Sequence, residues 1–166
     1  MNPKEQLKAA LAAKDIQVEA QKREREEKLI EEKNRSRAHT EQYVKAVVKL
    51  NEQITEWVDG LDFEIEAEPV SIPEGAKFYD VMGLTLFRAG QSLSFKPQGK
   101  TTGEFLGTIK VQPRKNMQGG SLSLGLASTN NDGTGNWFLI VSFNGNSNEL
   151  LFGEERFYDL LKTTFA

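Results

Sequence analysis

The chain has 166 residues, 38% hydrophobic and 27% charged, with a formal net charge of −3 and no cysteine. That balance excludes a globally basic protein drawn to nucleic acid by charge, and the missing cysteine excludes disulfides, thiolate metal sites and cysteine nucleophiles. No apolar run reaches the length of a membrane span and the N-terminus lacks an apolar signal core, so a cytoplasmic protein is expected.

Residues 4–59 contain no Gly and no Pro and are dominated by Ala, Leu, Glu, Lys, Gln and Arg. Those residues lose least on entering a helix. One unbroken helix here would be roughly 80 Å long at ~1.5 Å per residue. Asn2 can cap its start, Pro3 suits the first helical position, and Glu5 occupies the capping-box position. Residues 1–60 carry twelve Lys/Arg and twelve Asp/Glu. Pairs at i,i+4, such as Glu19–Arg23, Glu24–Lys28 and Glu31–Arg35, each favour helix by a few tenths of a kcal/mol. They supply no reason to pack. Leu7, Leu11 and Val18 form only a thin stripe, residues 21–28 have no apolar member, and Leu29 and Ile30 follow alone.

No aromatic residue precedes Tyr43. From there Tyr43, Val47, Leu50, Ile54 and Trp57 recur at spacings of four and three, flanked by Val44, Val48 and Val58. This predicts an amphipathic helix over 41–59 with one strongly buried face. Asp59-Gly60 ends it, Gly suiting a left-handed cap.

Beyond Gly60 the period becomes two. Phe63, Ile65 and Ala67 alternate with Glu64, Glu66 and Glu68, predicting a half-buried strand with an acidic outer face. Pro69 and Pro73 mark an irregular link. Residues 77–88 hold one or two strands, followed by the turn Ala89-Gly90-Gln91. Leu93 and Phe95 alternate with Ser92, Ser94 and Lys96. After a loop over 97–103, Phe105, Gly107, Ile109 and Val111 alternate with Leu106, Thr108 and Lys110. A second loop covers 113–120, and Leu122, Leu124 and Leu126 alternate with Ser123 and Gly125. Asn130-Asn131-Asp132-Gly133 signals a hairpin. Residues 137–143, apolar on both faces, are the best candidate for a central strand. After a turn at 144–148, residues 154–163 read as a short helix with Phe157, Leu160 and Leu161 inward.

The expected fold is α+β: a long N-terminal helix, an antiparallel β-meander of about six to seven strands forming a sheet or roll, and a short C-terminal helix. It divides into a charged protruding arm, residues 1–40, and a module, residues 41–166. The module has a covering helix at 41–59, a sheet over 62–152 and a last helix at 154–163.

No catalytic, cofactor-binding or metal-binding residue emerges. His39, the only histidine, lies among polar residues and reads as solvent-exposed; a general base needs a pocket and a partner. Asn130, Asn131, Asp132 and Asn136 resemble an oxygen-rich metal loop, but one carboxylate falls short of a calcium site and Asn and Gly are what a β-turn requires. Asp59, Asp62, Glu64, Glu66, Glu68 and Glu74 form an acidic run without a base. It suits a solvated face guarding an edge strand, or one that meets a basic partner. Lys96, Lys100, Lys110, Arg114 and Lys115 face a single acid, Glu104, and are expected in two loops. They are solvated lysines or an anion site. No phosphate-loop or dinucleotide fingerprint occurs.

These features point to a non-enzymatic protein-protein interaction module of the adaptor, scaffold or inhibitor type. Its arm would dock a partner or a second copy through Leu7, Leu11, Val18, Leu29 and Ile30, with Glu64, Glu66 and Glu68 as a further contact row. The apolar residues are too sparse for a sustained heptad zipper. The alternative is a nucleic-acid- or anion-binding module using the basic residues between 96 and 115. An enzyme without a recognisable motif is a third reading.

Overall fold

A computed structural model describes residues 2–100, 103–114 and 119–166. Its elements are helix α1 (Pro3–Trp57), strands β1 (Glu64–Glu74), β2 (Lys77–Arg88), β3 (Gln91–Gly99), β4 (Thr108–Pro113), β5 (Gly120–Thr129), β6 (Gly135–Phe143) and β7 (Asn146–Leu151), and helix α2 (Glu154–Phe165). This is the α+β order expected. By its contacts the chain divides after Ala38 into two units.

The first unit is helix from Pro3 onward. Asn2 caps it, its Oδ1 accepting from the Lys4 N–H at 3.0 Å. Every residue from 2 to 38 is exposed. The helix is held by its own backbone bonds and by propensity, not by burial.

The second unit holds the core. Its seven strands pair antiparallel in sequence order, with β1 and β7 at the two edges. The meander follows from its turns. Ala89-Gly90 and Asn144-Gly145 are two-residue connections with positive φ at both positions (51° and 77°, 48° and 83°), the handedness that matches strand twist. The register puts Leu84, Phe95, Val111, Leu122 and Val141 in one row, and Pro97, Ile109, Leu124 and Leu139 in the next. These rows form one face of the sheet. Residues 39–57 of α1 and helix α2 supply Tyr43, Ala46, Val47, Leu50, Ile54, Phe157, Leu160 and Leu161 to the same core. Phe157, fully buried, lies 5.2 Å from the Trp57 ring centre and 6.3 Å from those of Phe95 and Phe152.

Several expectations need correcting. Pro69 and Pro73 lie inside β1, not in a link. Glu74 pairs with Lys77 around a two-residue turn, so the residues whose backbone groups face β2 are 74, 72, 70 and so on. Both prolines therefore fall where the backbone faces away from the sheet, and neither removes a ladder bond. Nor are Ile65 and Ala67 half-buried; both are exposed, and β1 buries Ile72 instead. Residues 137–143 form the sixth strand, beside the edge, not a central one. Residues 77–88 make a single strand. At Gly83 its buried positions change from Val81 and Gly83 to Leu84 and Leu86.

Pro97 packs at that change, its Cδ 3.3 Å from where a Cβ on Gly83 would be. The β2–β3 ladder ends at Leu84↔Phe95. The next bond would run from residue 97 to the Met82 carbonyl, and Pro has no N–H to give. The Asn51 side-chain amide donates to that carbonyl instead, at 2.9 Å.

Candidate functional site

In the arm, Leu7 (60%), Leu11 (56%), Val18 (51%), Leu29 (62%) and Ile30 (59%) are exposed, and so is Ile16 (72%), which the sequence reading did not single out. Six large aliphatic side chains on a helix that buries none of them form the largest unsatisfied apolar feature of that unit.

On β1, Glu64, Glu66 and Glu68 alternate along one face and are all exposed. They oppose Phe87, Thr85 and Gly83, so no base stands directly opposite them on β2. Glu74 belongs elsewhere: its Oε1 accepts from the Thr40 hydroxyl at 2.7 Å, fastening the helix to the β1–β2 turn.

The basic residues are arranged differently from the expectation of two loops. Lys96 lies in β3 and Lys110 in β4, and the two are directly opposite. Their row continues to Ser123, Ile140 and Glu149, on the face away from the core. Both lysines are exposed. Arg114, exposed, is tied to the β2–β3 turn and the start of β3, its Nη1 donating to the Gly90 carbonyl and its backbone N–H to the Ser92 carbonyl. Lys100 is exposed beyond the end of β3. Lys115 lies outside the described residues. Of the five, the structure brings together Lys96 and Lys110.

The Asn130 loop is closed by its own groups. Asp132 Oδ1 accepts from the Thr134 N–H at 3.0 Å and the Thr134 hydroxyl at 2.6 Å, and the Asn130 N–H donates to the Thr134 carbonyl. The Thr134 bonds hold the Asp132 carboxyl below the usual carboxylate range. Among the described residues no three His, Asp or Glu side chains are grouped to hold a metal ion. His39 is half-buried where the second unit begins, not freely exposed as expected.

Two features were not legible beforehand. A cleft of about 510 Å³ is lined by Asp62, Glu64, Arg88 and Arg114 around the Ala89-Gly90 turn, with the Arg88 guanidinium 5.8 Å from the Phe63 ring centre. Its charges come from three separate elements, and only the register unites them. The other is the Tyr43 hydroxyl. It donates to the Thr108 carbonyl at 2.6 Å and accepts from the Gly99 N–H at 3.2 Å, spanning the bulge between Pro97 and Gly99. Burial pushes this phenol up to about 12. Its ring lies where a Cβ on Gly107 would be, within 2.2 Å, so that position admits only glycine.

Comparison with known families, with curated proteins and with solved structures finds no significant match to this chain. No helix among the described residues is long and apolar enough to cross a membrane.

Proposed function

We propose that this chain is a non-enzymatic protein-protein interaction module of the adaptor, scaffold or inhibitor type, working in the cytoplasm. Its N-terminal helix docks a partner helix or a second copy of itself. The observation that carries this reading is the complete exposure of residues 2–38 within a helix of 55 residues. A solitary polar helix gains little from remaining folded in water. Contact with another chain would cover Leu7, Leu11, Val18, Leu29 and Ile30 and give the helix the burial it lacks. The test is affinity capture with the full chain and with a form lacking residues 1–36, with light scattering on both. A partner, or a doubled mass, that disappears on truncation supports the reading. Identical capture and mass in the two forms would remove it.

A second reading is favoured by one observation, the directly opposed Lys96 and Lys110. Two ammonium groups held side by side attract an anion, and phosphate backbones present such charge repeatedly. Binding to single and double strands across a salt series tests it, since phosphate contacts weaken steeply with salt. No affinity at low salt would dismiss it.

A further inference from the structure

The two edges of the sheet are treated differently. On β1 the outward-facing backbone positions include Pro69 and Pro73, which have no N–H to offer, and four glutamates, Glu64, Glu66, Glu68 and Glu74, lie in the same strand. Prolines and charges of this kind keep an edge from pairing with another strand. On β7 that protection is thinner. Its sequence, Asn146-Ser147-Asn148-Glu149-Leu150-Leu151, has no proline and one charge, and all six residues are exposed.

Which backbone groups of β7 are unpaired follows from the ladder. Phe143 and Asn146 flank the two-residue Asn144-Gly145 turn, so residue 146 bonds to β6 and alternate residues do likewise. The Phe152 N–H donating to the Trp137 carbonyl at 2.9 Å fixes the same phase. The backbone groups of Ser147, Glu149 and Leu151 therefore face away from the sheet.

We infer that β7 pairs antiparallel with β7 of a second copy, continuing the sheet across a two-fold axis. Side-chain chemistry selects the register. A two-fold perpendicular to the sheet sets one residue opposite its own copy. If that residue were Glu149, two carboxylates would face each other, which is destabilising. Centring on Asn148 removes the conflict. Asn148 faces Asn148, Ser147 faces Glu149, Asn146 faces Leu150 and Gly145 faces Leu151. Ser147 and Glu149 then exchange backbone hydrogen bonds, the Asn148 amides can bond to each other, and the whole of β7 is used. The same edge would serve less well for β1 of a second copy, where Pro69 and Pro73 withhold donors. Pairing is thus directed to a closed dimer and away from an open filament. This inference is independent of the arm.

The absence of cysteine makes the register directly testable in the full chain. An Asn148→Cys variant places one thiol opposite itself at a non-hydrogen-bonded pair, a Cα separation of about 4.5 Å that a disulfide can span. Asn146→Cys faces Leu150 and serves as the control. The expected result is a covalent dimer under mild oxidation for Asn148→Cys and none for Asn146→Cys. Light scattering should show a doubled mass for the native chain and a single mass for Asn148→Lys, which opposes two ammonium groups. Ser147→Lys, which sets a cation against Glu149, should remain dimeric. Circular dichroism on each variant checks that the exposed substitution leaves the fold intact. A monomeric native chain, a dimer that survives Asn148→Lys, or equal cross-linking at 146 and 148 would overturn the inference. The cysteine pair and Asn148→Lys together separate β7 pairing from association through the arm, because a dimer held by the arm is expected neither to cross-link selectively at residue 148 nor to dissociate on Asn148→Lys.

Discussion

Tyr43 and Thr108 show how much a single atom decides in this core. The Tyr43 hydroxyl serves two backbone groups that the bulge would otherwise leave unpaired in a buried site. Tyr43→Phe is expected to fold but to lose about 1–3 kcal/mol, the cost of leaving buried groups without partners, read as a lower denaturant midpoint at unchanged slope. The same phenol predicts a pH dependence. Burial, the largest cause, raises it to about 12 from an ordinary value of 10. A group raised on folding contributes stability that is fully present below its unfolded value and is lost as pH passes its folded one. Stability should therefore be unaffected by Tyr43 below pH 10 and fall between 10 and 12. Tyr79 adds to the decline, being raised by burial and then by Glu74. Tyr43→Phe should flatten the curve, which melts across alkaline pH would reveal. Thr108 works in the opposite direction: its Oγ1 is buried without a hydrogen-bond partner among the described residues. Thr108→Val keeps the shape and removes that atom, so the variant should be more stable by roughly 1 kcal/mol. A lower melting temperature would show that the hydroxyl is satisfied after all.

At the scale of the element, Lys96 and Lys110 are an energetic oddity. Like charges directly opposite across a ladder destabilise it by some tenths of a kcal/mol up to about 1. Lys110→Ser should therefore raise the melting temperature at low salt. The gain should vanish near ~1 M salt, where screening acts within about 3 Å. If a polyanion stabilises the native chain and leaves Lys110→Ser unchanged, the anion-binding reading gains its support. The pair was hidden in the sequence because fourteen positions separate its members, and only the register of β3 on β4 joins them. Local period was readable: the buried stripe from Tyr43 to Trp57, the alternation around Leu93 and Phe95, and the Asn144-Gly145 turn. Features set by partners were not. Pro69 and Pro73 looked like breaks because a proline is compatible with a strand only when its empty side faces outward. That depends on which strand ends up at an edge. Ile65 and Ala67 alternated correctly, yet their strand turned its burial to Ile72, a matter of where the helix lies and not of local pattern. The exposed β7 edge carried no residue signal, since what distinguishes it is the absence of prolines and a single charge in six residues.

At the scale of the whole molecule, the division after Ala38 has a thermodynamic consequence. Residues 2–38 bury nothing, so they contribute little to the cooperative transition of the core. The core is closed instead by residues 43–57 of α1 and the turn after it, which supply Tyr43, Val47, Leu50, Ile54 and Val58, and by the Thr40 and Asn51 side-chain bonds to the sheet. A chain beginning near Arg37 keeps all of these. It should unfold in one cooperative step at nearly the midpoint of the full chain, while its helical ellipticity falls by the share the first 36 residues provide. Cutting further, past Tyr43, should abolish the transition, because the phenol at the bulge and the first turn of the buried stripe leave together. Melts of the three lengths followed by circular dichroism and by tryptophan fluorescence separate the outcomes. Trp57 and Trp137 both report on the core, and neither should sense the first cut. If the first cut removed cooperativity, the arm would be part of what holds the sheet module together. It could not then be the free docking helix on which the proposed function rests.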